Sequence, residues 1–163
     1  MKQYLRPVSK AICAKREVLS EGVLGKHLCL YQDDHEFPDI SSFKFAFIGV
    51  PEHRRDLDFI GESIDFDAVR MAFYSLYPGN WDWSMVDLGD VVPGSEVTDT
   101  DFALTEVLSY LLKIGVIPIV IGGSQDLMYA HYRAFDEIYS MINIVNVDHR
   151  FDLGDHQEPM SNK

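Results

Sequence analysis

The chain has 163 residues, of which 47% are hydrophobic and 25% charged, with a formal net charge of -12. That is enough chain for one globular domain with a sizeable core. The acidic balance, with no block of consecutive Lys or Arg, excludes nucleic acid as a partner, and no apolar stretch reaches the roughly 20 residues that span a bilayer. The first residues, MKQYLRPVSKAICAKREVL, lack the uninterrupted apolar run of a signal peptide. A cytoplasmic protein is therefore expected, with Cys13 and Cys29 as reduced thiols.

Residues 1–42 form an N-terminal extension with a short helix near 11–19 and an acidic, turn-rich loop at 31–42. His35 stands among Asp33, Asp34 and Glu36 in that loop, a composition read as solvated surface. The remainder, 43–163, alternates strand and helix. Residues 43–50 (FKFAFIGV) predict a buried strand, 52–61 a charged loop, and 64–76 a helix with Val69, Phe73 and Leu76 on one face. A second strand is predicted at 83–88, closed by Gly89-Asp90. A loop then runs to Thr100, and a helix begins there or at Asp101 with a broad apolar stripe from Phe102 to Leu112. Then come an apolar strand at 116–121, Gly122-Gly123, a polar cluster Ser124-Gln125-Asp126, a helical pattern, and a second apolar run at 142–147. The polar string Asp148-His149-Arg150-Phe151-Asp152 ends the unit.

This alternation predicts a three-layer α-β-α fold around a mainly parallel sheet, with polar groups gathered where the strands end. Gly122-Gly123 suits a tight strand-to-helix turn; it is neither G-x-G-x-x-G nor a P-loop, and phosphate binding is the lesser reading. Asp148 and Asp152 flank a strand end, and two carboxylates held close need a metal or a basic side chain between them. A solvated loop is the competing reading of that pattern.

The order of these pieces resembles the arginase family of ureohydrolases, which includes arginase, agmatinase and formimidoylglutamase. The likeness runs over Phe47-Ile48-Gly49-Val50-Pro51, Ala68-Val69-Arg70, Val86-Asp87-Leu88-Gly89-Asp90-Val91, 118–126 and 147–152. The acidic extension resembles the formimidoylglutamase branch. The resemblance implies an incomplete arginase-like fold, a manganese pair that activates a hydroxide, and a small amidine or guanidino substrate. Asp148 and Asp152 match the two aspartate ligands of the D-A-H-x-D motif. Other positions depart from the pattern. Ser124 and Gln125 stand where G-G-D-H-S has its aspartate and histidine, and Arg150 stands for the histidine of D-A-H-x-D. Arg150 cannot ligate a metal, and its guanidinium is expected to neutralise Asp148 and Asp152 instead.

The later D-x-D ligands of the family do not follow, so the chain is expected to be a fragment and inactive alone. Asp99-Thr100-Asp101 has the letters of that motif and reads as a helix cap. A catalytically dead relative that binds or regulates is the alternative, and His149, Asp152, Asp155 and His156 form an alternative metal set. The apolar runs 116–121 and 142–147 are expected either to pair directly or to be covered in a homo-oligomer, because bare strand edges invite pairing.

Overall fold

The structure is a computed structural model that describes residues 1–56, 59, 61, 63–80 and 84–147. Its strands are β1 (Leu5–Arg6), β2 (Cys29–Leu30), β3 (Phe45–Gly49), β4 (Met85–Val91) and β5 (Ile117–Ile121). Its helices are α1 (Lys10–Glu17), α2 (Leu24–His27), α3 (Phe66–Tyr74), α4 (Val97–Lys113) and α5 (Met128–Asp136). β3 lies between β4 and β5, parallel to both. The outer side of β4 carries β2 in parallel along its first half and β1 antiparallel at its end.

The apolar runs of β3 and β4 follow from burial on both faces. Ala46, Ile48, Val86 and Leu88 pack with Leu104, Val107, Leu108 and Leu111 of α4 and with Ala130 and Ala134 of α5. Phe47 and Met85 pack on the other face with Ile12 of α1, Leu24 of α2 and Tyr74 of α3. The layers are therefore helix, sheet, helix, as the alternation predicts. After β3 the chain crosses to β4 on one side; after β4 it crosses back to β5 on the other. The strand order thus reverses between β3 and β5, the place where an open α/β sheet leaves a crevice at its carboxyl edge.

β4 holds a buried ion network. Its register against β3 shifts between the pairs Phe47–Asp87 and Gly49–Asp90, so β4 spends one extra residue there. Gly89 sits in this bulge at φ 75°, and a Cβ on it would overlap the Arg6 carbonyl. An added residue re-phases the alternation of side chains. Asp90 thereby joins Asp87 on the side facing α3, and Arg70 of that helix reaches both. Its Nε donates to Asp87 Oδ2 at 2.9 Å and its Nη1 to Asp90 Oδ1 at 2.8 Å. Tyr74 donates to Asp87 at 2.7 Å, and the Gly89 amide donates to Asp87 at 2.8 Å. Gly49 is required beside this network because a Cβ there would overlap the Asp90 carboxylate. Burial opposes the Arg70 charge, but the two carboxylates outweigh it and raise its pKa.

Four differences from the sequence expectations have physical causes. Helix α4 starts a turn earlier than expected, at Val97, because the Asp99 carboxylate accepts from the Glu96 amide at 3.0 Å and closes the first turn. Asp99 and Thr100 therefore lie inside the first turn. β4 runs on through Gly89 and Asp90, which the bulge admits into the strand. β1 and β2, two residues each, are too short to show a periodic pattern. Residues 141–147 form no strand, and β5 pairs with β3 alone among the described residues. Val145 is 87% and Val147 95% exposed. An apolar run becomes a strand only where a neighbour offers a hydrogen-bond ladder, and no described strand lies beside this one. The expected direct pairing of 116–121 with 142–147 is thus not found.

Replacing Arg70 by Met would leave the buried Asp87 without a cation and Asp90 with only the exposed Arg6. Arg70→Met is expected to lower the unfolding free energy by about 3–5 kcal/mol. Arg6→Ala, which removes the exposed guanidinium at the rim of the same network, should cost less than about 1 kcal/mol. Urea titration of both variants distinguishes them, and equal small losses would contradict the role given to Arg70.

Candidate functional site

At the carboxyl ends of β3 and β5 the loops 50–56 and 122–127 meet. The ladder continues one step beyond β3, with the Val50 amide donating to the Ile121 carbonyl at 3.0 Å. The β5 chain then turns away through Gly122 and Gly123, at φ 86° and 85°. Two consecutive residues in the left-handed region call for glycine. Side chains there would also strike Phe66 at Gly122 and Leu127 at Gly123. The turn reading of Gly122-Gly123 accounts for both residues.

The turn delivers Ser124 onto the neighbouring loop. Its amide donates to the Glu52 carbonyl at 2.8 Å, and its buried hydroxyl donates to the same oxygen at 3.4 Å. Gln125 follows, exposed, on a 3-10 turn (Gln125–Leu127) that leads into α5.

Glu52 was not singled out from sequence, where it belongs to a charged loop, yet it is 1% exposed. Arg54 holds it. The Arg54 amide and Nε both donate to Glu52 Oε1 at 3.0 Å. Arg54 also donates to the Ser95 carbonyl at 2.7 Å and to the Thr100 hydroxyl at 3.2 Å, linking this loop to the start of α4. Burial raises the Glu52 pKa, but hydrogen bonds from Arg54 and Thr100 together with the Arg54 charge outweigh it and hold the carboxyl at about 2.

Beside this pair, Arg55 Nη1 lies 3.4 Å from Asp126 Oδ2 and 3.7 Å from Asp101 Oδ2. Burial and the nearby Asp126 charge raise the Asp101 pKa against the pull of Arg55. A buried charge can be seen in a sequence only when its partner is near. Arg54 follows Glu52 by two residues and was such a signal; Asp126 lies far along the chain from Arg55.

Of the residues proposed from sequence, Gln125 is placed at this edge. Asp148, Asp152 and Arg150, and the alternative set His149, Asp155 and His156, lie outside the described residues. Among the described residues, no group of three or more His, Cys, Asp or Glu side chains gathers as a metal site. At the end of β5 the donors are a serine hydroxyl turned onto a carbonyl, a neutral amide, and a carboxylate facing an arginine. Manganese suits carboxylate, carbonyl and water oxygens; here the carboxylate is held by an arginine and the serine hydroxyl is spent on a carbonyl, so the described residues do not by themselves supply the ligands of a manganese pair. What they form is a tightly hydrogen-bonded, charge-compensated edge of the sheet.

The sequence profile of the arginase family matches residues 43–163. The chain belongs to the arginase family. It is 31% identical over 94 residues to a formimidoylglutamase of Macrococcus caseolyticus, covering 56% of this chain and 30% of that protein. It is 35% identical over 74 residues to a formimidoylglutamase of Geobacillus thermodenitrificans, covering 43% of this chain and 23% of that one. The chain thus spans a third or less of the length of these two relatives.

Among solved structures, a Trypanosoma cruzi formiminoglutamase crystallised with Mn2+ superposes with a TM-score of 0.57 at 21% identity. That match covers 64% of this chain and 39% of the other. An agmatine ureohydrolase of Thermoplasma volcanium gives 0.54 at 20% identity, covering 75% and 41%. At such identities these likenesses bear on the fold alone, and they agree with the mostly parallel sheet and its flanking helices.

The Glu52 pKa sets a pH dependence. A carboxyl held below its usual 4.5 contributes stability fully above that value and loses it as pH falls toward 2. At about pH 6, Glu52→Gln is expected to destabilise by about 2–3 kcal/mol, and the gap to wild type should shrink by more than half by about pH 3. Urea melts across that range check it, and a gap that stays constant would show that the carboxylate charge is not what matters.

Proposed function

We propose that this chain is a formimidoylglutamase-like segment of an amidine hydrolase fold, and that its 163 residues do not hydrolyse amidines on their own. One observation carries the second half of this reading. Where the family motif has an aspartate and a histidine, the turn after β5 presents Ser124 and Gln125, and Ser124 is committed to the Glu52 carbonyl. A serine and a glutamine supply neither the negative charge nor the imidazole that a catalytic metal pair needs to generate hydroxide near neutral pH. Arg150, at the histidine position of the second motif, extends the same logic, since a guanidinium repels a cation and stays protonated.

The substrate class that goes with the fold is a linear amidine or guanidino compound, and manganese is the metal to test. Among the described residues β5 pairs on one side only, and this together with the exposed Ile144, Val145 and Val147 supports self-association of this chain as a homo-oligomer.

The chain with added MnCl2 is expected to show no turnover of formiminoglutamate, agmatine or arginine above a chelator-treated control. Turnover well above that control would overturn the reading. Light scattering on the same samples should give more than one chain per particle, and a monomer throughout would remove the oligomer from the proposal.

A further inference from the structure

We propose that Arg55 is a built-in counter-cation that pins the turn after β5 onto helix α4, so that the carboxyl edge of the sheet keeps its shape without a divalent metal. Three elements meet at this residue. Arg55 comes from the loop after β3, Asp126 from the 3-10 turn after β5, and Asp101 from the first half of α4. The Asp126 side chain is 3% exposed and that of Asp101 15%.

Two aspartates so placed repel, and water screens them little. One of the Asp101 oxygens, Oδ1, is buried with no hydrogen-bond partner among the described residues. Both aspartates direct their Oδ2 at the same Arg55 nitrogen, at 3.7 and 3.4 Å, which is the arrangement of two anions around one shared cation. A guanidinium is charged at every working pH and is fixed by its own chain, so it needs no loading step.

The consequence is positional. Asp126 directly follows Gln125 and lies two residues after Ser124, so a grip on Asp126 fixes the path of the chain that presents both. The Glu52 backbone carbonyl holds the same turn through the Ser124 amide. Arg55 is therefore a positioning residue: it acts on the turn through Asp126 and on α4 through Asp101. This concerns the chain's own side chains and holds whatever the hydrolysis assay returns.

Amide hydrogen exchange of the whole chain at Gly123, Ser124 and Gln125 reads this directly. Arg55→Ala should speed exchange at these amides by about tenfold, while Arg55→Lys, which keeps a cation, should stay within about threefold of wild type. The deciding comparison is a double-mutant cycle. In an Asp101→Asn/Asp126→Asn background the carboxylates no longer need a counter-charge, and adding Arg55→Ala should change exchange by less than about twofold. An Arg55→Ala effect of equal size in both backgrounds would overturn the proposal, because Arg55 would then act through something other than these two aspartates. Exchange at the same amides should also be the same in chelator and in MnCl2. Marked slowing by manganese would show that the turn depends on the metal after all.

Discussion

The bidentate grip of Arg70 on Asp87, extended to Asp90, is the constraint on which the rest of the sheet depends. Burying two carboxylates in the middle of a strand is unfavourable unless a cation meets them with good geometry. Arg70 meets them from α3, with bonds of 2.8–2.9 Å to the two acids. For both acids to face the helix, β4 has to break its alternation once, and Gly89 at φ 75° supplies the break. For Asp90 to lie over the end of β3, Gly49 has to lack a side chain. One ion network therefore accounts for the D-x-G-D spacing, for the glycine that ends β3, and for the seating of α3 on the sheet. Arg6 closes the network from β1 at 3.1 Å, so the N-terminal residues also dock through it.

The carboxyl edge follows the same pattern at smaller scale. Every buried acid described there has an arginine against it: Glu52 has Arg54, and Asp101 and Asp126 share Arg55. The two glycines after β5 make the turn that brings Ser124 against Glu52. The result is a carboxyl edge at the strand-order reversal whose buried acids are neutralised by arginines.

Much of the fold was legible because its signals are local. The runs 43–50 and 116–121 are apolar on both faces and became β3 and β5, and Leu104, Val107, Leu108 and Leu111 of the stripe became the buried side of α4, while Phe102 at its start is exposed. The boundaries that failed depended on single polar contacts, such as Asp99 closing the first turn of α4. Residues 142–147 have the composition of a strand but lack a neighbouring ladder among the described residues, and composition does not carry that information. At the site, Gln125 and the Gly122-Gly123 turn were readable from their order after a strand. Arg55 and Arg70 were not, because a burial that depends on a partner far along the chain leaves no local trace; Glu52, with Arg54 two residues on, carried a local signal inside a stretch that reads as a charged loop. The matched arginase-family motifs pointed to Arg70 and to the pair Asp87 and Asp90 without showing that they bind one another.

The central claim is that Arg70 is locked between Asp87 and Asp90 in the native chain. Nitrogen-15 NMR of the arginine side chains tests it most directly. The Arg70 Nε proton should be resolved at neutral pH and exchange with solvent as slowly as the backbone amides of β4, while that of Arg6, with its 58% exposed side chain, exchanges fast. An Arg70 Nε proton that exchanges as fast as that of Arg6 would contradict the account, because the two aspartates would then need another reason to be buried.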